Sequence, residues 1–286
     1  MEQIRWEDLC EGVSQPDGLP ARDVGQWSVD KLRFWHRYIQ TTTTAMVGSP
    51  AWPAGIVYVD LFSGPGICRV RETGKLLPGS PLIAAYAAKA FRKIICVEFD
   101  RTLADACRQR LAKSPAAKVC EVLQGDSNEL AEEVAKRLPD RALTLAFIDP
   151  EALDAKFETL RRLTVNRRVD LLILLADAFD IVRNVDEYER NPGNKLDMTL
   201  GTQCDWRTPW KKLTNRSGPN VRQFFFDLYC SQLKLLGYVE FGSKVIESPR
   251  GPIYKLVYAS KHSRGLDFWN KALAREKDGQ SSLFDR

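Results

Sequence analysis

Histidine is nearly missing from this chain, whose 286 residues hold only His36 and His262. The seven cysteines, at positions 10, 68, 96, 107, 120, 204 and 230, never fall into a Cys-x-x-Cys interval. A zinc site needs thiolates and imidazoles clustered at short spacing, so no metal site is expected. An odd, scattered set of thiols reads instead as reduced and mostly buried, as in a cytoplasmic protein. Long apolar runs are lacking too: the stretch 171–176 is typical, against the roughly 20 residues a membrane-spanning helix needs. The opening Met1-Glu-Gln-Ile-Arg-Trp-Glu-Asp has no apolar centre of a secretory signal. No membrane partner is therefore expected. Internal repeats and low-complexity segments are absent as well.

What is present suits a folded domain. Hydrophobic residues make up 44% and charged residues 28%, enough to build an ordinary core. At about 150 residues per domain, the length allows one large or two small domains. Forty-two basic against 37 acidic residues leave +5, which is compatible with a nucleic-acid partner without singling one out.

Residues 1–26 carry Pro16, Gly18 and Pro20 and read as a loosely ordered arm. Ser28 then suits an N-cap, and Val29, Leu32, Trp35 and Ile39 recur at helical spacing, predicting a helix over 29–46 before Gly48 and Pro50. Beyond it the pattern alternates. Short apolar strands are expected at 56–61, 93–97, 119–123, 143–148 and 170–175. Helices are expected at 80–90, opened by Ser80-Pro81, and at 101–113, 127–138 and 154–163. Such strands between amphipathic helices predict an α/β fold with a doubly wound, mostly parallel sheet. Residues 180–220 break the alternation, with two tryptophans, Asn-Pro-Gly and many charges, and read as a lid, an insertion or partly disordered chain. A helix over 219–236, an antiparallel hairpin from 238–246 and 253–259, a short helix over 266–275 and a polar tail complete the chain. This divides it into an N-terminal arm and helix (1–50), a ligand-binding α/β core (51–180), the insertion or lid (181–220) and a C-terminal part (221–286).

Asp60-Leu61-Phe62-Ser63-Gly64-Pro65-Gly66 follows the first core strand, at the sheet end where doubly wound folds place ligands. Gly64 and Gly66 allow a sharp turn and close approach, while Pro65 removes an amide donor. A dinucleotide fingerprint would have a third glycine where Arg69 stands, and the Walker lysine is absent, so a nucleoside without a pyrophosphate fits better. Glu98, or else Asp100, after the second strand can accept both ribose hydroxyls. Asp126 can accept an exocyclic amine with Ser127 or Asn128 beside the ring, although Asp126 and Ser127 are equally suited to capping a helix. Asp149-Pro150-Glu151 ends the fourth strand. Carboxylates there, with the rings of Phe62 or Phe147, suit a cationic sulfonium.

Several of these stretches together resemble the three-Cys-motif partner protein family. They are Tyr58-Val-Asp60-Leu-Phe-Ser-Gly64-Pro-Gly66, Arg69-Val-Arg71-Glu-Thr-Gly74, Gly79-Ser80-Pro81, Gly125-Asp126-Ser-Asn128 and Phe147-Ile-Asp149-Pro150. The resemblance runs from Lys31-Leu-Arg-Phe to Ser260-Lys261-His262. It implies a class I methyltransferase sheet with its C-terminal antiparallel hairpin, S-adenosyl-L-methionine as cofactor, and a protein partner carrying a three-cysteine motif of iron–sulfur or radical type.

The substrate is narrowed by absences. Asp149-Pro150-Glu151-Ala152 lacks the aromatic residue that base-methylating Asp-Pro-Pro-Tyr motifs carry, and no cysteine follows a proline, which argues against covalent attack on a pyrimidine. Asp149 and Glu151 are the candidate catalytic residues, though Glu151 also suits a helix start. Arg69, Arg71 and Lys75, in the basic loop after the glycine turn, are candidate phosphate contacts. Arg161, Arg162, Arg167 and Arg168 form a second basic cluster, and Lys211, Lys212 and the nearby tryptophans can add stacking or simply anchor a loop. The leading expectation is methyl transfer to a nucleic-acid or nucleoside-type substrate. A second is a non-catalytic partner of a DNA repair or modification protein, and a third a magnesium-dependent hydrolase using Asp60, Glu98 and Asp149.

Overall fold

The structure is a computed structural model that describes residues 4–284; residues 1–3 of the expected arm and the last two of the expected tail lie outside the described residues. The chain opens with α1 (Trp6–Gly12), β1 (Arg22–Val24) and α2 (Ser28–Met46). Next come β2 (Ile56–Asp60), β3 (Ile67–Val70), β4 (Leu76–Pro78), α3 (Ser80–Ala85), β5 (Lys93–Glu98) and α4 (Arg101–Ala112). They are followed by β6 (Cys120–Gln124), α5 (Ser127–Lys136), β7 (Leu143–Ile148), α6 (Phe157–Thr164) and β8 (Val169–Leu175). A π-helical turn (Asp177–Ile181) leads into α7 (Val182–Arg190), α8 (Lys195–Leu200), α9 (Arg207–Lys212) and α10 (Gly218–Leu235). The hairpin β9 (Glu240–Ser248) and β10 (Gly251–Ser260) precedes α11 (Ser263–Phe284).

Seven strands pair in the order β6-β5-β2-β7-β8-β10-β9. The first five are parallel, β10 runs antiparallel to β8, and β9 antiparallel to β10. This is the expected doubly wound α/β sheet of class I methyltransferase type, completed by a C-terminal antiparallel hairpin. Every residue of β2, β7 and β8 is buried, as a parallel sheet covered on both faces requires. One face packs against α2, α3 and α11, where Trp35 stacks on Phe147 at 4.5 Å and Trp269 on Tyr258 at 5.3 Å. The other face packs against α5, α6 and the α7–α10 block. The chain turns back at β2, whose Asp60 is in register with Cys96 of β5 and Phe147 of β7. The crevice at a topological switch point therefore opens beyond Asp60.

Four expectations are corrected. The arm over 1–26 is structured where described: Trp6, Leu9 and Cys10 of α1 are buried, and β1 pairs in parallel with β3. The basic loop after the glycine turn is the β3–β4 hairpin, which joins β1 in a small three-stranded sheet. Residues 181–220 form three short helices, which removes the partly disordered alternative for this segment. Trp206 and Trp210 are buried against Phe225 of α10, and Asp197 takes hydrogen bonds from Trp206 Nε1 (2.6 Å) and Arg207 (2.7 and 3.0 Å). Lastly, Ser28 and Ser80 sit inside their helices, capped by Trp27 and Gly79, and α3 stops at Ala85.

Candidate functional site at the strand ends

The turn after β2 is shaped by Asp60 from beneath. Its side chain is 0% exposed; Oδ2 accepts the Tyr58 hydroxyl at 3.0 Å and Oδ1 the Phe62 amide at 3.3 Å. Trp35 Nε1 donates in turn to the Tyr58 oxygen at 3.2 Å. Burial pushes the Asp60 carboxyl up to about 7; hydrogen bonds from Ser80 and Tyr58 oppose this, and the Asp149 charge adds to it. Asp60 thus organises the turn instead of facing a ligand. Gly64 and Gly66 adopt φ +62° and +86°, left-handed conformations that side chains beyond glycine adopt at a cost.

Glu98, only 7% exposed, closes the turn from β5. Its Oε2 accepts Gly64 N–H at 2.8 Å and its Oε1 accepts Asp100 N–H at 2.9 Å. Each oxygen keeps a second acceptor direction. Phe99, 72% exposed, projects between Glu98 and Asp100. Asp100 itself caps α4 by accepting Leu103 N–H at 2.9 Å, and Asp126 caps α5 by accepting Asn128 N–H at 2.8 Å. The capping roles are therefore filled. Ser127 is buried and donates to the Leu61 carbonyl, fastening α5 to the turn. Asn128 holds the Asp154 and Lys156 backbone and Thr159. Phe62 is half-buried at the edge of the core beneath.

Two cations enter the acidic strand ends. Lys31 of α2 donates to Asp149 Oδ2 at 2.5 Å, with both side chains largely shielded. Arg22 of β1 pairs with Glu151, and its guanidinium lies 3.7 Å from where a β-carbon on Gly64 would stand. Burial works against the charge of Arg22, but Glu151, then Glu98 and Asp149, more than offset it and hold it above its ordinary value. The segment carrying Arg22 is pinned by the buried Arg110 of α4. That guanidinium donates to both Asp17 oxygens (2.7 and 2.8 Å), to the Leu19 and Pro20 carbonyls, and to the Pro65 carbonyl of the glycine turn at 2.8 Å. Residues 17–24 thus form a strap over the turn. Glu151 does not start a helix, since α6 begins at Phe157.

The expected carboxylates do gather, but in layers: Asp60 below, Glu98 in the wall, Asp149 and Glu151 at the rim and neutralised. Among the described residues no three such groups are placed to share a metal ion. Of the basic loop, Arg69 pairs with Asp23 at 2.7 Å, Arg71 lies 5.9 Å over the Trp27 ring, and Lys75 lines a cavity of about 350 Å³ with Trp6, Cys10 and Arg33. Lys75 is thus away from the strand ends. Sequence reasoning missed Arg22, Lys31, Phe99 and Arg110. Phe99 was findable as an apolar residue between two acids after a buried strand. The three cations carried no such mark, because their partners are 45 or more residues distant: Pro65 is 45 and Asp17 93 from Arg110, Asp149 is 118 from Lys31, and Glu151 is 129 from Arg22.

No family model and no curated protein matches the chain. Among solved structures, an O-methyltransferase from Bacillus cereus in complex with SAH is similar at a TM-score of 0.44 and 12% identity, covering 88% of this chain and 89% of that one. An O-methyltransferase of Streptomyces achromogenes involved in tomaymycin synthesis, in complex with SAM, is similar at a TM-score of 0.40 and 12% identity, over 92% and 100% of the two chains.

Proposed function

We propose that the chain binds S-adenosyl-L-methionine at the strand ends and directs its methyl group to a nucleic-acid or nucleoside-type substrate. The observation that carries this is Glu98: a shielded carboxylate, oriented by Gly64 N–H and Asp100 N–H, beside the exposed ring of Phe99. Those groups fit an adenosine, the carboxylate for vicinal hydroxyls and the ring for the base. Asp149 and Glu151, the proposed catalytic pair, stand at the rim with Lys31 and Arg22 as their counter-ions. The cofactor supplies an activated methyl group on a sulfonium, and the protein's task is then positioning and exclusion of water. In that task Asp60 and Arg110 keep the turn in shape, and Lys31 fixes the Asp149 carboxylate. Calorimetry with S-adenosylmethionine and S-adenosylhomocysteine tests the reading. Binding that falls about tenfold or more in Glu98→Gln supports it, and absence of binding to the unmodified protein overturns it.

A second reading, a non-catalytic partner of a three-Cys-motif protein, is favoured by one observation. Both proposed catalytic carboxylates are already ion-paired within the chain. It expects stable co-purification with that partner and no label transfer from methyl-labelled cofactor to DNA, RNA or protein.

A further inference from the structure

Asp149-Pro150-Glu151-Ala152 has no aromatic residue of its own, yet the fold brings two to its side. Strand β8 ends in the π-helical turn, where the amides of Asp180 and Ile181 both donate to the Ala176 carbonyl at 3.1 Å. This turn is pinned at both ends. Asp177 is fully buried and accepts Arg222 Nε at 2.8 Å; Asp180 is buried and accepts the Tyr188 hydroxyl at 2.5 Å and Asn184 Nδ2 at 3.0 Å. Between the two anchors Phe179 is left 45% exposed. Slack chain does not explain that exposure, because the residues around it are held. Turns of this kind are frequent at functional sites.

Tyr254 of β10 faces Phe179, with ring centroids 6.2 Å apart and planes inclined by 37°. Its hydroxyl reaches the Glu151 carbonyl at 3.5 Å. Burial, then the Asp149 and Glu151 carboxylates, push this phenol up, with Arg71 opposing and Asp180 adding to the rise. Arg183, one turn beyond Phe179, holds its guanidinium 4.8 Å over the Phe179 ring. Both Arg71 and Arg183 are exposed, and among the described residues neither is in an ion pair. Two aromatic faces flanked by two such cations match a planar base carrying a phosphate.

We propose that Phe179 and Tyr254, with Arg71 and Arg183, form the platform that receives a base of single-stranded nucleic acid beside Asp149. The proposal rests on the methyltransferase reading for its purpose but not for its test. A fluorescent 12-nucleotide single strand, as DNA and as RNA, is titrated by anisotropy against the unmodified protein, Phe179→Ala, Phe179→Trp and Arg183→Ala. The same preparations are titrated with S-adenosylhomocysteine. Phe179→Ala weakens the oligonucleotide about five- to a hundredfold, as expected for one lost stack, and Phe179→Trp restores it. Arg183→Ala lowers the slope of log affinity against log salt by about 0.7, one phosphate contact on a single strand. Equal affinity of Phe179→Ala and the unmodified protein overturns the platform, as does a duplex or free adenosine monophosphate binding as well as the single strand. No oligonucleotide binding at low salt overturns it too and points to a protein-borne ring. Absence of homocysteine-nucleoside binding alone, with Phe179-dependent oligonucleotide binding retained, removes the cofactor reading and leaves the platform standing.

Discussion

Lys31 Nζ lies 2.5 Å from Asp149 Oδ2 and so joins the first turn of α2 to the end of β7, across 118 residues of chain. Both side chains are largely shielded from water, where removing one partner strands the other's charge. Lys31→Met is therefore expected to cost about 3 kcal/mol. The Lys31→Met/Asp149→Asn double variant should recover a substantial part of this, and a urea-denaturation cycle of the four proteins measures the coupling.

Arg110 makes the second long tie. Its replacement by Ala leaves Asp17 and three carbonyls without their donor, an expected loss of about 3 kcal/mol. Release of the strap is the more specific outcome. Hydrogen exchange of residues 17–24 should quicken well before that of β2 or β7, and equal protection in the variant would contradict the strap.

Asp60 gives a pH dependence of definite sign. Its folded-state value, raised to about 7 mainly by burial, exceeds that of an unfolded aspartate near 4. Between those values the folded protein holds a proton that the unfolded chain has released, so this residue makes stability fall as pH rises from about 4 to 7. The slope is at most roughly 1.4 kcal/mol per pH unit. Asp60→Asn keeps the acceptor for Phe62 N–H and removes the titration. Its Tm should fall less steeply with pH than that of the unmodified protein; Asp170, raised to about 6 by burial, adds to the remaining fall, and His36, lowered to about 4 by burial, opposes it.

Trp206 and Trp210 separate packing from stacking. Both are buried in the α7–α10 block, so Trp206→Ala is expected to cost about 3–5 kcal/mol while leaving the affinity of the folded protein for single strands unchanged. A variant of ordinary stability that has lost oligonucleotide binding would reverse that assignment.

How much was legible follows from where each signal lies. The five parallel strands were readable because burial on both faces forces unbroken apolar runs such as Ile56-Val57-Tyr58-Val59. The hairpin was readable from its β-rich runs around Ser-Pro-Arg-Gly-Pro. Helices α8 and α9 were not, since six residues each are too few to display a period and their order comes from buried tryptophans and the Asp197 bonds. The site divided in the same way. Glu98 stood out by following an apolar strand, whereas Asp60's seat below the turn depends on Tyr58 and Trp35, and the pairing of Glu151 on an arginine 129 residues earlier.

The strap has a consequence for biosynthesis. Asp17 and Arg22 leave the ribosome long before their anchor does, because Arg110 follows Asp17 by 93 residues. At about 5–20 residues per second, the emerging chain spends on the order of five to twenty seconds with that acidic-and-basic segment unclasped. The clasp can therefore close once α4 has emerged, before β7, β8 and the C-terminal hairpin have been made.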